Sequence, residues 1–199
     1  MVLYSHTDCI YCHRVRLVLA EKGIAADIIE PVPGALPDEL KLVNPTGSLP
    51  TLIDRDLGLY EAKVINDYLD ERYPHPPLLP VDPVSRARTR LALHRIEADW
   101  YAMIPALSGS DDALRKKSAS QLSDSLTASA SVFEAMPFFL SEEYSVLDAT
   151  LAPLLWRMPQ YGIVLDSDAQ AVHAYAERIF SREGFQASLS VAEKALRNE

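Results

Sequence analysis

The first eighty residues alternate between short β-rich runs and stretches of helical spacing, and the remainder of the chain is helical in pattern throughout. Val2–Tyr4 predicts a strand. After a loop over Ser5–Cys9, the residues Val15, Val18 and Leu19 share one face of a helix that Gly23 stops. Ala26–Glu30, with Ile28 and Ile29, predicts a second strand, broken by Pro31-Val32-Pro33-Gly34. Pro37–Val43 predicts a short helix ended by Asn44-Pro45-Thr46-Gly47. Thr51–Asp54 and Leu57–Tyr60 predict a hairpin across Arg55-Asp56. Lys63–Tyr73 predicts a helix with Val64, Ile65, Tyr68 and Leu69 on its apolar side. The order βαβαββα implies a mixed sheet with helices on both faces.

Proline sets the boundary that follows. Pro74-His75-Pro76-Pro77-Leu78-Leu79-Pro80 suits neither helix nor central strand, because proline lacks the backbone donor and restricts the residue before it. The expected division is a thioredoxin-like domain over 1–77, a linker over 74–81 and an all-helical domain over 82–199. Asp82 is placed to cap a helix with Pro83 in its first position, and Leu93, Ile96, Trp100, Ile104 and Leu107 repeat along it. A second amphipathic stretch runs from Asp111 to Met136. Ser145-Val146-Leu147-Asp148 reads as a capping box opening a helix over Ala149–Met158. Two further helices are expected at Ala169–Phe180 and Glu183–Arg197.

Composition narrows the class. Across 199 residues, 48% are hydrophobic and 24% charged, which is globular, and no apolar run reaches the roughly 20 residues needed to cross a membrane. Met1–His6 lacks the basic-then-apolar pattern of a signal peptide, so a cytoplasmic, membrane-free protein is expected. The formal net charge of −9 argues against direct nucleic-acid binding, which needs a basic face. Arg86, Arg88, Arg90 and Arg95 read as a solvated helix face. The two cysteines, Cys9 and Cys12, sit at a strand–helix junction, the place of a reactive-thiol pair rather than a secreted disulfide scaffold. Backbone donors and the helix dipole there favour a thiolate at Cys9; His13, Arg14 and Arg16 would help and Asp8 would oppose. His94 and His173 have no ligand-like spacing with cysteines or carboxylates, so no metal is expected. Trp100 and Trp156, with apolar neighbours at helical spacing, are expected in the core.

Several segments together resemble the glutathione S-transferase superfamily. They are the strand–loop–helix opening, Ser48-Leu49-Pro50-Thr51-Leu52 before a hairpin, Glu61-Ala62-Lys63-Val64-Ile65-Asn66-Asp67-Tyr68-Leu69, and the Ser145/Asp148 box. A narrower likeness is to the stringent starvation proteins of that superfamily. It is carried by Val15–Gly23, Tyr68–Leu78, His94–Tyr101, Leu151–Pro159 and Phe185–Leu189. The resemblance implies the transferase fold, a cis Leu49–Pro50 bond, a homodimer, and association with RNA polymerase holoenzyme in stress-response transcription.

It also implies where function sits. In thiol-using transferases the first cysteine of such a pair is the nucleophile, which places Cys9, with Cys12, at the catalytic position. The Cys-x-x-Cys departs from the stringent starvation pattern. A glutathione-like pocket would involve Leu49 and Pro50, through strand-like backbone pairing, and Glu61 and Ala62 at a helix start. The superfamily has serine where this chain has Ala62; a lost charge-assisted hydrogen bond costs about 1.5–3 kcal/mol, so glutathione is expected to bind weakly or not at all. Pro74, His75, Pro76 and Pro77 fall where the resemblance puts an exposed patch that contacts the polymerase. The alternative is a glutathione-dependent thiol transferase or disulfide reductase using Cys9.

Overall fold

The computed structural model of the chain describes residues 1–32 and 37–197. Pro33 and Gly34 of the expected strand break lie outside them. Its contacts divide the chain into two compact units, Met1–Pro76 together with the segment from Glu183 onward, and Pro77–Arg182. The final helices therefore belong with the sheet-bearing unit, not with the helical one in which their pattern counted them.

The first unit has four strands: β1 Val2–Tyr4, β2 Asp27–Ile29, β3 Thr51–Asp54 and β4 Leu57–Tyr60. They lie in the order β2-β1-β3-β4, with β1 parallel to β2 and the other pairs antiparallel. Its helices are α1 Ile10–Glu21, α2 Asp38–Val43 and α3 Ala62–Arg72. Gly23, at φ +62°, ends α1 in the left-handed region that glycine enters without a Cβ penalty. Nine of the twelve residues of α1 are buried, His13, Arg14 and Arg16 among them. The reason is that α1 is covered by α3 and by a helix from the far end of the chain, α10 Glu183–Ser188.

The second unit contains α4 Pro83–Asp99, α5 Ile104–Leu107, α6 Asp112–Ala128, α7 Ala130–Glu134, α8 Val146–Trp156 and α9 Gln170–Phe180. Asp82 caps α4 as expected, accepting from the Ser85 N–H at 2.8 Å. All of α8 is buried, so it is the central helix, apolar on every side. Its capping box is the polar centre of this unit. The Asp148 carboxylate accepts from Ser145 N (2.8 Å), Phe139 N (2.9 Å) and the Tyr175 hydroxyl (2.6 Å). Trp100 stacks on Phe133, centroids 6.2 Å apart, and Trp156 meets Phe180 edge-on at 4.9 Å; both tryptophans are core.

Three helices expected as continuous are broken. The apolar repeat through Leu107 spans α4, a 3-10 turn at Tyr101–Met103 and α5. Pro105 has no N–H to return to the Tyr101 carbonyl, so one α-helix cannot run through. The stretch from Asp111 divides into α6 and α7 at Ser129, whose hydroxyl bonds back to the Ser125 carbonyl at 2.8 Å. The last helix divides into α10 and α11 Val191–Ala195, because Ser190 and Glu193 form a fresh capping box.

Candidate functional site

Cys9 is the N-cap of α1, half-buried, and its sulfur accepts from the Cys12 N–H at 3.4 Å. Cys12 lies one turn in and is fully buried; its own sulfur accepts from the His6 N–H at 3.3 Å. Both cysteines are free thiols. The hydrogen bond to Cys9, followed by burial, pushes the Cys12 thiol far up, so Cys12 stays protonated and donates toward Cys9. Only Cys9 of the pair is placed to meet a reactant.

The loop that carries Cys9 is pinned from two sides. The Glu30 carboxylate accepts from Thr7 N and Thr7 Oγ1, both at 2.9 Å, and these bonds hold its pKa below the usual carboxylate range. From the other side, Ser190 Oγ donates to the Thr7 carbonyl at 3.1 Å, and Arg16 Nη1 reaches Ser5 Oγ at 2.6 Å and the His6 carbonyl at 3.3 Å. Arg16 and His13 thus face the C-terminal segment. Asp8, expected to oppose a thiolate, is exposed.

Leu49–Pro50 is cis, as the resemblance implied. The Leu49 carbonyl lies 4.0 Å from Cys9 Sγ, so the structure brings those two expected site residues together. Asn44, almost fully buried, shapes this loop by donating to the Ser48 carbonyl and to Thr51 Oγ1, each at 2.8 Å. Pro50 is buried, and Leu49 packs against Tyr4, Leu40 and Ile53. Glu61, at the N-cap of α3, is exposed and adopts φ +70°, a left-handed value uncommon for a side chain of its kind. Its carboxylate makes no capping bond, so it does not serve α3 in that way. Ala62 follows it, buried.

The proline segment lies beyond the other end of α1. Pro74, His75, Pro76 and Pro77 are all exposed. The backbone behind them is fixed by Lys22, the residue that ends α1. Its buried ammonium meets the Asp70 carboxylate (2.7 Å), the Tyr73 carbonyl (2.7 Å) and the Pro76 carbonyl (2.6 Å). Three donors meet three acceptors. A twelve-residue helix is about 18 Å long, so thiols and proline segment are separate places.

Sequence reasoning assigned no role to Lys22, Ser188 or Glu193. Lys22 lies inside the Val15–Gly23 segment that carried the family likeness, and only its place one position before the stopping Gly23 hinted at a role of its own. Glu193 was three residues past Ser190, a capping-box spacing that was legible but unused. A cavity of about 890 Å³ in the helical unit, lined in part by Arg115, Ser123, Tyr161 and Ile163, contains none of the expected site residues. Among the described residues no helix is long and apolar enough to cross a membrane.

Comparison with known proteins places these features in a lineage. The glutathione S-transferase N-terminal domain model matches residues 3–77, and the corresponding C-terminal domain model matches residues 91–183. The chain is 46% identical over 193 residues to a stringent starvation protein A homolog of Pasteurella multocida, covering 96% of this chain and 91% of that one. It is 45% identical over 196 residues to the Haemophilus influenzae homolog, with the same coverage. Among solved structures, glutathione S-transferase III in apo form superposes with a TM-score of 0.80 at 28% identity, covering 94% of each chain.

Proposed function

The chain belongs to the stringent starvation protein A family, and we propose that it acts as a transcription regulator that binds bacterial RNA polymerase as a homodimer. The observation that carries this reading is the proline segment. Pro74, His75, Pro76 and Pro77 present their side chains to solvent while Lys22 holds the backbone beneath them. Such a surface loses little entropy on binding, since both its prolines and its anchor are already ordered. A protein of net charge −9 reaches promoters more readily through a protein partner than by touching phosphates itself. Unpartnered apolar side chains support the dimer: Val64 on α3, and Val84 and Leu91 on α4, are each about half exposed or more. Immobilised protein challenged with purified bacterial RNA polymerase holoenzyme tests the reading. Saturable retention is the expected result; absence of retention at micromolar polymerase overturns it.

A second reading rests on the thiols. Cys9 sits at a helix start, receives the Cys12 N–H, and lies 4.0 Å from the carbonyl that precedes the cis-proline. That arrangement suits a glutathione-dependent thiol transferase or disulfide reductase in which Cys9 attacks and Cys12 resolves. Ala62 weighs against it, because the carboxylate of glutathione would lack a hydroxyl partner there. Calorimetry with glutathione, paired with reduction of a protein–glutathione mixed disulfide, decides between the two. Turnover that disappears in Cys9→Ser supports the thiol reading, and absent turnover removes it.

A further inference from the structure

The cavity of the helical unit carries opposite charges at its two ends. Its volume of about 890 Å³ falls within the range of small-ligand sites, and all of its walls come from between Leu107 and Asp166. One wall is a face of α6. Arg115, Lys116, Ala119, Ser120, Ser123 and Asp124 recur at helical spacing along it, while Leu122 and Leu126 beside them are buried in the core. The floor is apolar, with Leu107 and Ile163 both buried.

The opposite wall is a loop held in shape by its own backbone. The Gly162 N–H donates to the Pro159 carbonyl at 3.0 Å and the Ile163 N–H to the Met158 carbonyl at 2.9 Å. Ser123 Oγ donates to the Val164 carbonyl at 3.0 Å and ties this loop to α6. A Cβ at Gly162 would meet nothing within 4 Å, so the space beside this wall is open. The site is therefore preformed.

Arg115 and Lys116 stand at the end nearer the start of α6, where they share a single carboxylate, that of Asp112. Two cations on one anion leave a positive excess. At the other end stand Asp124 and Asp166; the Ser123–Val164 bond brings Asp166, two residues beyond Val164, to the part of α6 that carries Asp124. Neither carboxylate has a cationic partner among the described residues. Residues 115 and 124 are separated by about 13–14 Å of helix axis. Between them lie the Ser120 and Ser123 hydroxyls. Ser123 gives its hydrogen to Val164 and so offers a lone pair to a ligand N–H, whereas the exposed Ser120 can donate or accept.

We propose that this cavity binds a short peptide with free termini, about three residues long, its carboxylate at Arg115 and Lys116 and its ammonium at Asp124 and Asp166. An extended residue spans about 3.3–3.6 Å, so three span about 10–11 Å, and the charged side chains cover the remainder. The apolar floor suits a small aliphatic side chain, and the two serines suit peptide N–H and C=O groups. Asp124 and Asp166 repel a simple anion, and Arg115 and Lys116 repel a simple cation; a zwitterion of this length satisfies both ends. The cavity shares no residue with the thiol pair or the proline segment.

The test titrates Ala-Leu-Ala with free termini into the full chain at low salt, followed by two-dimensional amide NMR, beside the N-acetylated and the C-amidated forms of the same peptide. The free peptide should bind saturably and shift the amides of Gly109, Gly162 and Ile163. Blocking either terminus should weaken binding by about threefold to fivefold, the upper range for a solvent-exposed ion pair. Arg115→Gln with Lys116→Gln should erase the penalty for amidation and keep that for acetylation; Asp124→Asn with Asp166→Asn should do the reverse. None of the four side chains is buried, and the blocked peptides test the wild-type protein whether or not a variant folds. Blocked peptides that bind as tightly as the free one overturn the proposal. So does a lack of saturable binding up to about 10 mM peptide. Amide shifts centred on Cys9 and Leu49 overturn it as well, as does a penalty erased by the wrong pair of substitutions.

Discussion

Lys22 offers the sharpest test of how the proline segment is held. Its side chain is fully buried, and the Asp70 side chain facing it is 10% exposed. Replacement by methionine keeps the apolar stem and removes the ammonium. Asp70 is then left without its 2.7 Å partner, and the carbonyls of Tyr73 and Pro76 lose a charged donor each. Breaking a buried ion pair on one side costs about 3–5 kcal/mol, because the surviving charge keeps its desolvation penalty. Against a whole-protein stability on the order of 5–15 kcal/mol, that is a large fraction. Urea unfolding of Lys22→Met should show that loss, with amide exchange at Tyr73 and His75 accelerated. The double variant Lys22→Met with Asp70→Asn should recover about half or more, since removing both partners leaves no orphaned charge. A loss below about 1 kcal/mol, or strict additivity in the double variant, would refute the clamp.

Other consequences follow from the capping box and the pocket. In Asp148→Asn a single amide oxygen must serve donors from Ser145, Phe139 and Tyr175, so stability should fall by about 2 kcal/mol or more in urea titration at neutral pH. Burial raises the Asp148 carboxyl above its ordinary value, so its protonated form is favoured by folding. The stability this adds is complete below about pH 4 and is lost as pH rises through the folded value. Wild type should accordingly lose its margin over Asp148→Asn as pH rises across that window, and a widening margin would contradict the sign. Ala62→Ser restores the missing hydroxyl and should tighten glutathione binding by about tenfold to a hundredfold in calorimetry; unchanged affinity would show that the start of α3 does not receive the ligand.

The parts of the fold that depend on local chemistry were legible from residue order. Asp82-Pro83, Gly23, and the Ser145/Asp148 box each fix an element end by a mechanism acting within a few residues. The apolar spacing placed Trp100 and Trp156 in the core for the same reason. What escaped was long-range. His13, Arg14 and Arg16 read as cations beside the thiol, and only the return of residues 183–197 onto α1 makes them interior. Glu193 is 177 positions from Arg16, and nothing in the intervening pattern announces their bidentate pair. The helix breaks at Trp100 and Ser129 were missed because apolar spacing continues across both, while a proline or a hydroxyl ends the backbone ladder. Cys9, Leu49 and Pro50 were found as separate motifs; their approach to 4.0 Å follows from the sheet order that sets β1 beside β3.

The most direct test is what the proline segment does to polymerase affinity. Changing Pro74, His75 and Pro77 to alanine leaves Pro76 in the grip of Lys22 and alters exposed side chains alone. Stability should drop only modestly, by about 0.5 kcal/mol for His75 and about 0.4–1 kcal/mol for each proline. Binding to purified RNA polymerase holoenzyme, measured by biolayer interferometry on the folded variant, should weaken by about thirtyfold or more, as truncation of central anchors costs on the order of 2 kcal/mol or more. Undiminished polymerase binding by that variant would contradict the assignment of this surface.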